Sequence, residues 1–116
     1  MQNLAFAVLL PPDQNEATVE ALTSCWRGAR KEAFRDARRR AGIVRAAVWI
    51  QSAPGAELAI VYLEADDLDT AFTFLKTSAD PFDSWFRDHA HHVHGIALEE
   101  GFTAPQQLLD FDVGKI

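Results

Sequence analysis

Apolar positions recur along the chain with two periods, and blocks of the two kinds alternate. Leu4 to Leu10 is a nearly continuous apolar run stopped by Pro11-Pro12, which predicts a buried strand. Asp13 and Glu16 form a capping-box-like pair, after which Val19, Leu22, Trp26, Ala29, Ala33 and Ala37 recur at three- and four-residue steps. That spacing predicts one amphipathic helix running to about Arg40, with Gly42 just past its end. Ile43 to Gln51 and Glu57 to Glu64 are strand-like and flank Pro54-Gly55, which suits the two central positions of a type II turn. The pair therefore predicts an antiparallel hairpin.

Asp66, Asp67 and Asp69 supply a negative helix start, and Leu68, Ala71, Phe72 and Leu75 mark the buried side of the short helix behind them. A second start follows at once: Asp80 can cap, Pro81 suits the first helical position, and Asp83 comes three residues after the cap. The helix it opens spans Phe82 to about His94 and ends at Gly95, and residues 99–106 read as loop. Leu109, Phe111 and Val113 then alternate with Asp110 and Asp112, the period-two pattern of a strand with one wet face. The order is βαββαβ, an α+β chain of ferredoxin-like type with an antiparallel sheet and helices on one face, in a single domain over residues 1–116.

Helices cover only one face of such a sheet. Val44, Ala46, Val48 and Ile50 fall on one face of their strand, and Arg45, Ala47, Trp49 and Gln51 on the other. On the neighbouring strand Ala59, Val61 and Leu63 oppose Leu58, Ile60 and Tyr62, so both faces are largely apolar. A soluble monomer avoids so large an exposed apolar patch. The expectation is a homodimer packed sheet against sheet, with Arg45, Trp49 and Gln51 at the interface.

Composition narrows the class. The 116 residues are 48% hydrophobic and include 12 aromatics, enough for a core, and the single Cys excludes an internal disulfide and a Cys-rich zinc site. No apolar run reaches the length of a membrane span, and no signal peptide is recognisable, so the expectation is a soluble cytoplasmic protein. The net charge of -6 is uneven: residues 1–56 carry 8 basic and 5 acidic side chains, residues 57–116 carry 3 and 12. Seven of the eleven basic residues lie between Arg27 and Arg40. With Glu32 and Asp36 interleaved as partners for Arg35, Arg39 and Arg40, this reads as a solvated helix face, alternatively as a surface for an acidic partner. The acidic balance and the lack of an aromatic ladder beside the arginines argue against nucleic acid.

The element order, the long first helix and the doubly apolar sheet resemble the dimeric α/β-barrel superfamily. That group includes antibiotic-biosynthesis-type monooxygenases, haem-degrading enzymes, chlorite-dismutase-like proteins and stress-responsive barrel proteins. The stretch Ser78-Ala79-Asp80-Pro81-Phe82-Asp83-Ser84-Trp85-Phe86, followed by His94-Gly95-Ile96, resembles a small bacterial family of unknown function within it. The resemblance implies the fold and a dimer and brings no established reaction with it.

Candidate chemistry is sparse. His89, His91, His92 and His94 lie within six residues, but on a helix His89 falls on the Phe82, Phe86, Val93 stripe while His91 and His94 point outward. The four do not converge on an ion, HExxH is absent, and no metal site is expected. Asp80 and Asp83 read as helix-start acids, Cys25 as an inert thiol on a helix margin. Trp85 and Phe86 read as core, and Trp49 as an interface anchor or the lining of a cavity. Tyr62 reads either as buried under the helices with its hydroxyl satisfied or as a proton donor. The leading expectation is binding of a small, partly apolar ligand between sheet and helices, with Trp49, Tyr62, Trp85, His89 and His92 as its candidate residues. The alternatives are a cofactor-independent monooxygenase-like enzyme, a haem-related one with His89 as axial ligand, and an interaction protein using the Arg27 to Arg40 face.

Overall fold

The computed structural model describes residues 1–10, 13, 15–94 and 105–115, and the side chains of residues 15, 90–94 and 115 fall outside that description. The elements follow in the order β1 (Gln2–Leu10), α1 (Asn15–Arg27), α2 (Lys31–Ala41), β2 (Ile43–Ala53), β3 (Ala56–Ala65), α3 (Leu68–Thr77) and α4 (Pro81–His94), with a 3-10 turn at Val113–Lys115. β3 is central, pairing antiparallel with β1 on one side and β2 on the other. The chain is thus α+β with a three-stranded antiparallel sheet, an arrangement compatible with the ferredoxin-like fold.

The hairpin forms as its turn chemistry predicts. Ala53 pairs with Ala56 across a two-residue loop, and Gly55 takes φ 74° at the second central position, where a Cβ is disfavoured. From there the register carries Trp49 opposite Ile60, Ala47 opposite Tyr62 and Arg45 opposite Glu64, and β1 sets Ala7 and Ala5 against Ile60 and Tyr62. Period-two alternation then divides the sheet. Phe6, Val8, Ala59, Val61 and Leu63 face the helices, and the second face stays open.

The core lies where α2 and α3 close onto this sheet. Ala41, Ile43, Leu63, Ala65, Ala71 and Leu75 are buried together, with Phe6, Val61, Leu68 and Phe72 against them. Asp67 caps α3 by accepting from Thr70 N at 3.2 Å, Gln2 Oε1 accepts from Leu68 N at 2.7 Å, and Arg87 donates to the Leu75 carbonyl at 2.8 Å. α3 is therefore held at its start to β1 and at its end to α4.

Two expectations fail. The one helix foreseen from the Asp13–Glu16 pair to about Arg40 is two helices, because the chain turns at Gly28 with Arg30 N donating to the Ser24 carbonyl at 3.0 Å. Its buried stripe shifts accordingly: Thr18, Ala21 and Cys25 are buried in α1, and Ala37 and Ala41 in α2, whereas Val19, Trp26, Ala29 and Ala33 are exposed. The fourth strand is also absent among the described residues. Residues 105–112 have no regular structure, Leu109 is 82% and Phe111 67% exposed, and Asp112 Oδ1 accepts from Gly114 N at 2.8 Å to start the 3-10 turn. Alternation describes two faces and says nothing of a partner edge, and no described strand pairs with this segment. The stop at Pro11-Pro12, the helix end at Gly95 and loop residues 99–104 lie outside the described residues. Among the described residues no helix is long and apolar enough to cross a membrane.

Candidate ligand cavity between sheet and helices

The space between sheet and helices is built largely by aromatic side chains from α2 and α4. Phe34 lies 6.2 Å from both Phe82 and Phe86, centroid to centroid. Trp85 stacks on His89 one helical turn later, at 5.8 Å and 16°. The Arg30 guanidinium lies 4.2 Å from the Trp85 ring. These rings do not fill the space. A cavity of about 120 Å³ remains, lined by Phe6, Val61 and Phe72 on the sheet and α3 side and by Phe86, Arg38 and His89 opposite.

Arg38 is its unusual member. In the run Arg38, Arg39, Arg40 it alone shares the helix face of Phe34, Ala37 and Ala41, at four- and three-residue steps. Its guanidinium carbon lies 4.7 Å from the Phe34 ring centroid and 4.6 Å from that of Phe86. Nε is fully buried and has no hydrogen-bond partner among the described residues. Burial pushes the Arg38 pKa down to about 10, against the opposing pull of Asp83 and Cys25, so the group stays cationic at neutral pH.

Arg38 also lines a second, open groove of about 580 Å³ between α1, α2 and the start of β2. Lys31, Arg35 and Arg39 lie along it, with Cys25 and Trp26 from α1 and Asp66 as the one acid among its described lining residues. Cavity and groove share Phe34, Arg38 and Ala46. An apolar chamber and a basic vestibule thus meet at one buried guanidinium.

The neighbouring groups are tuned by burial. The His89 imidazole is pushed below the usual histidine range by desolvation first and by Arg30 second. Burial raises the Cys25 thiol, opposed by its hydrogen bond with Ser24 and by Arg38 and Arg30, which leaves it protonated at neutral pH. Asp80 and Asp83 act structurally. Asp80 Oδ1 accepts from Phe82 N at 2.9 Å, Asp83 Oδ2 accepts from Ser78 Oγ at 2.6 Å, and Arg40 ion-pairs with both at 3.2 and 3.4 Å.

The solvated-face reading of the arginines therefore needs correcting. Arg35 does meet Glu32, at 3.6 Å on the surface, but Arg40 reaches across to α4 and Arg38 turns inward. Arg38 joins the apolar stripe only once Phe34, Ala37 and Ala41 are known to be the face that α2 packs. The candidate ligand residues do not gather in one place either. Trp85 and His89 are on α4, and the side chain of His92 lies outside the described residues. Trp49 and Tyr62 lie across the sheet on its open face, where the Tyr62 hydroxyl donates to Glu64 Oε1 at 2.6 Å. Tyr62 is thus not under the helices. Its pKa is raised, chiefly by that hydrogen bond.

Among the described residues no group of three His, Cys, Asp or Glu side chains is placed to hold a metal ion. A haem does not fit the chamber: about 120 Å³ is well short of the ~300 Å³ at which pockets for drug-sized ligands begin, and a haem is larger than those ligands. Comparison with protein-family models, with curated proteins and with solved structures finds no match to this chain, so the chemistry of the site rests on its own residues.

Proposed function

We propose that the protein binds a small, partly apolar ligand between its sheet and its helices, and that it works as a twofold dimer. The cavity carries the first part. Among the described residues its walls are Phe, Val, Leu and Ala side chains with Arg38 and His89 between them, and its volume of about 120 Å³ approaches that of engineered cavities of ~150 Å³ that stay dry and take up benzene. A chamber of this kind inside a 116-residue chain is a standing loss of packing, which a bound apolar body offsets.

The test is uptake of a neutral probe. Toluene in the millimolar range is expected to raise the melting temperature of the full chain by mass action. Ala46→Phe, which adds a ring at the wall shared by cavity and groove, is expected to suppress that shift. No toluene-dependent shift, or an equal one in Ala46→Phe, would count against the cavity as a ligand site.

The dimer rests on the open face. Leu9 and Trp49 are 65% and 54% exposed there, and Leu58, Ile60 and Tyr62 lie between them on β3. A second copy laid on this face removes the patch from water, with Trp49 as anchor and Arg45 and Gln51 beside it on the same strand.

A further inference from the structure

Resting on the reading of the cavity as a ligand site, the geometry points to a ligand of one chemical class. It is a small carboxylate, its apolar body in the chamber between β3 and α4 and its charged head on Arg38. Three independent observations meet at that residue.

Arg38 is built into the wall rather than turned to solvent, over the rings of Phe34 and Phe86. Stacking of that kind leaves the in-plane N–H donors as the groups that recognise a ligand. Nε has no acceptor, and no carboxylate approaches the guanidinium within 4.0 Å among the described residues. Asp83, whose field reaches Arg38, directs its Oδ2 to Ser78 and Arg40 instead. A buried charged donor without a partner carries a desolvation cost that an incoming acceptor recovers.

The approach to Arg38 is cationic. Lys31, Arg35 and Arg39 line the groove that leads to it, against Asp66 among its described lining and Glu32 paired with Arg35, so the balance of charge draws an anion in and turns a cation away. The body and the head of the ligand are then sorted by the two spaces. The chamber is apolar and small, the vestibule basic and open, and Phe34, Arg38 and Ala46 belong to both. A planar carboxylate matches the guanidinium fork and adds little volume to a benzene-sized body. Arg38 as a residue keeps part of its surface while Nε is covered. The head therefore approaches the guanidinium from the groove, and a side-chain adjustment brings Nε to it.

Benzoate, benzyl alcohol and toluene serve as probes of similar body and different head, titrated calorimetrically into the full chain and into Arg38→Met and Arg38→Lys. Benzoate is expected to bind at least about tenfold more tightly than benzyl alcohol, the scale of a charge-assisted hydrogen bond. Arg38→Met is expected to erase that preference, bringing benzoate to the affinity of benzyl alcohol in the same variant or below it, and Arg38→Lys to keep part of it. If benzyl alcohol or toluene binds the unaltered chain as tightly as benzoate, the carboxylate assignment is overturned and the cavity remains a site for neutral ligands. If none of the three binds, the cavity reading itself falls. Should Arg38→Met fail to fold, the comparison of benzoate with benzyl alcohol on the unaltered chain decides the matter alone.

Discussion

Asp83 lies in the first turn of α4 with 3% of its surface exposed, and it accepts from Ser78 Oγ while pairing with Arg40 of α2. Removing the carboxylate strands the Ser78 hydroxyl and leaves Arg40 with Asp80 alone, so Asp83→Ala is expected to lower unfolding free energy by about 2 kcal/mol, read from urea denaturation. Thr18 is the opposite case. It is completely buried in α1 and its hydroxyl has no hydrogen-bond partner among the described residues, so Thr18→Val keeps the shape and drops the unpaired group. A gain of about 1 kcal/mol is expected in the same assay. His89 supplies the pH-dependent term. Because burial depresses its folded pKa, the unfolded chain binds a proton more readily. Stability contributed by neutral His89 is therefore full above the ordinary histidine pKa and is lost as pH falls through and below it. His89→Phe should then show a shallower loss of stability between pH 7.5 and pH 5.5 than the parent chain, and equal slopes would sink the assignment. The helix-start roles of Asp80 and Asp83 were legible in the sequence because capping is local. The inward turn of Arg38 was not, since three consecutive arginines look alike until a packing face is chosen.

At the scale of elements, the junction of α1 and α2 shows how one residue redirects a pattern. A Cβ at Gly28 would stand 2.8 Å from the Ser24 Cα, a backbone atom of the preceding turn that has little freedom to give way. Gly28→Ala is expected to destabilise by about 1–3 kcal/mol and to disturb the Cys25 and Phe34 positions at the groove, visible in the aromatic region of the NMR spectrum. An unchanged spectrum and stability would mean that the turn does not depend on the close approach. The hairpin, by contrast, was readable from Pro54-Gly55 and the β-branched runs around it, and α3 and α4 from their acids and periodic apolar residues. The second half of the chain announces its helices through caps. The first hides its break, because Ala29 and Ala33 continue an apolar rhythm that the turned chain then leaves exposed.

The described residues form a sheet with two apolar faces and helices over one of them. If the open face is an interface, Trp49→Arg places a charge at its centre. Light scattering should then report a dimer for the parent chain and a monomer for the variant, with far-UV circular dichroism unchanged. A parent chain that is monomeric at tens of micromolar would rule out the sheet-to-sheet dimer. The uneven charge also acquires a location at this scale. Part of the basic half becomes the lining of a groove and one buried guanidinium, and part of the acidic half, Asp80 and Asp83, becomes the counter-ions of Arg40.

What the amino-acid order settles alone here is local: where strands and helices start, which turn closes the hairpin, and which side chains share a face. Those follow from backbone sterics, capping and periodicity within a few residues. Tertiary structure alone decided the three questions on which function turns. It left Leu109, Phe111 and Val113 outside the sheet, since an alternating segment becomes a strand only when an edge receives it. It put Trp49 and Tyr62 on one side of the sheet and Trp85 and His89 on the other. And it drew Arg38 out of a basic run into an apolar wall, because burial of a side chain is set by what packs against it from elements distant in sequence, here Phe86 of α4.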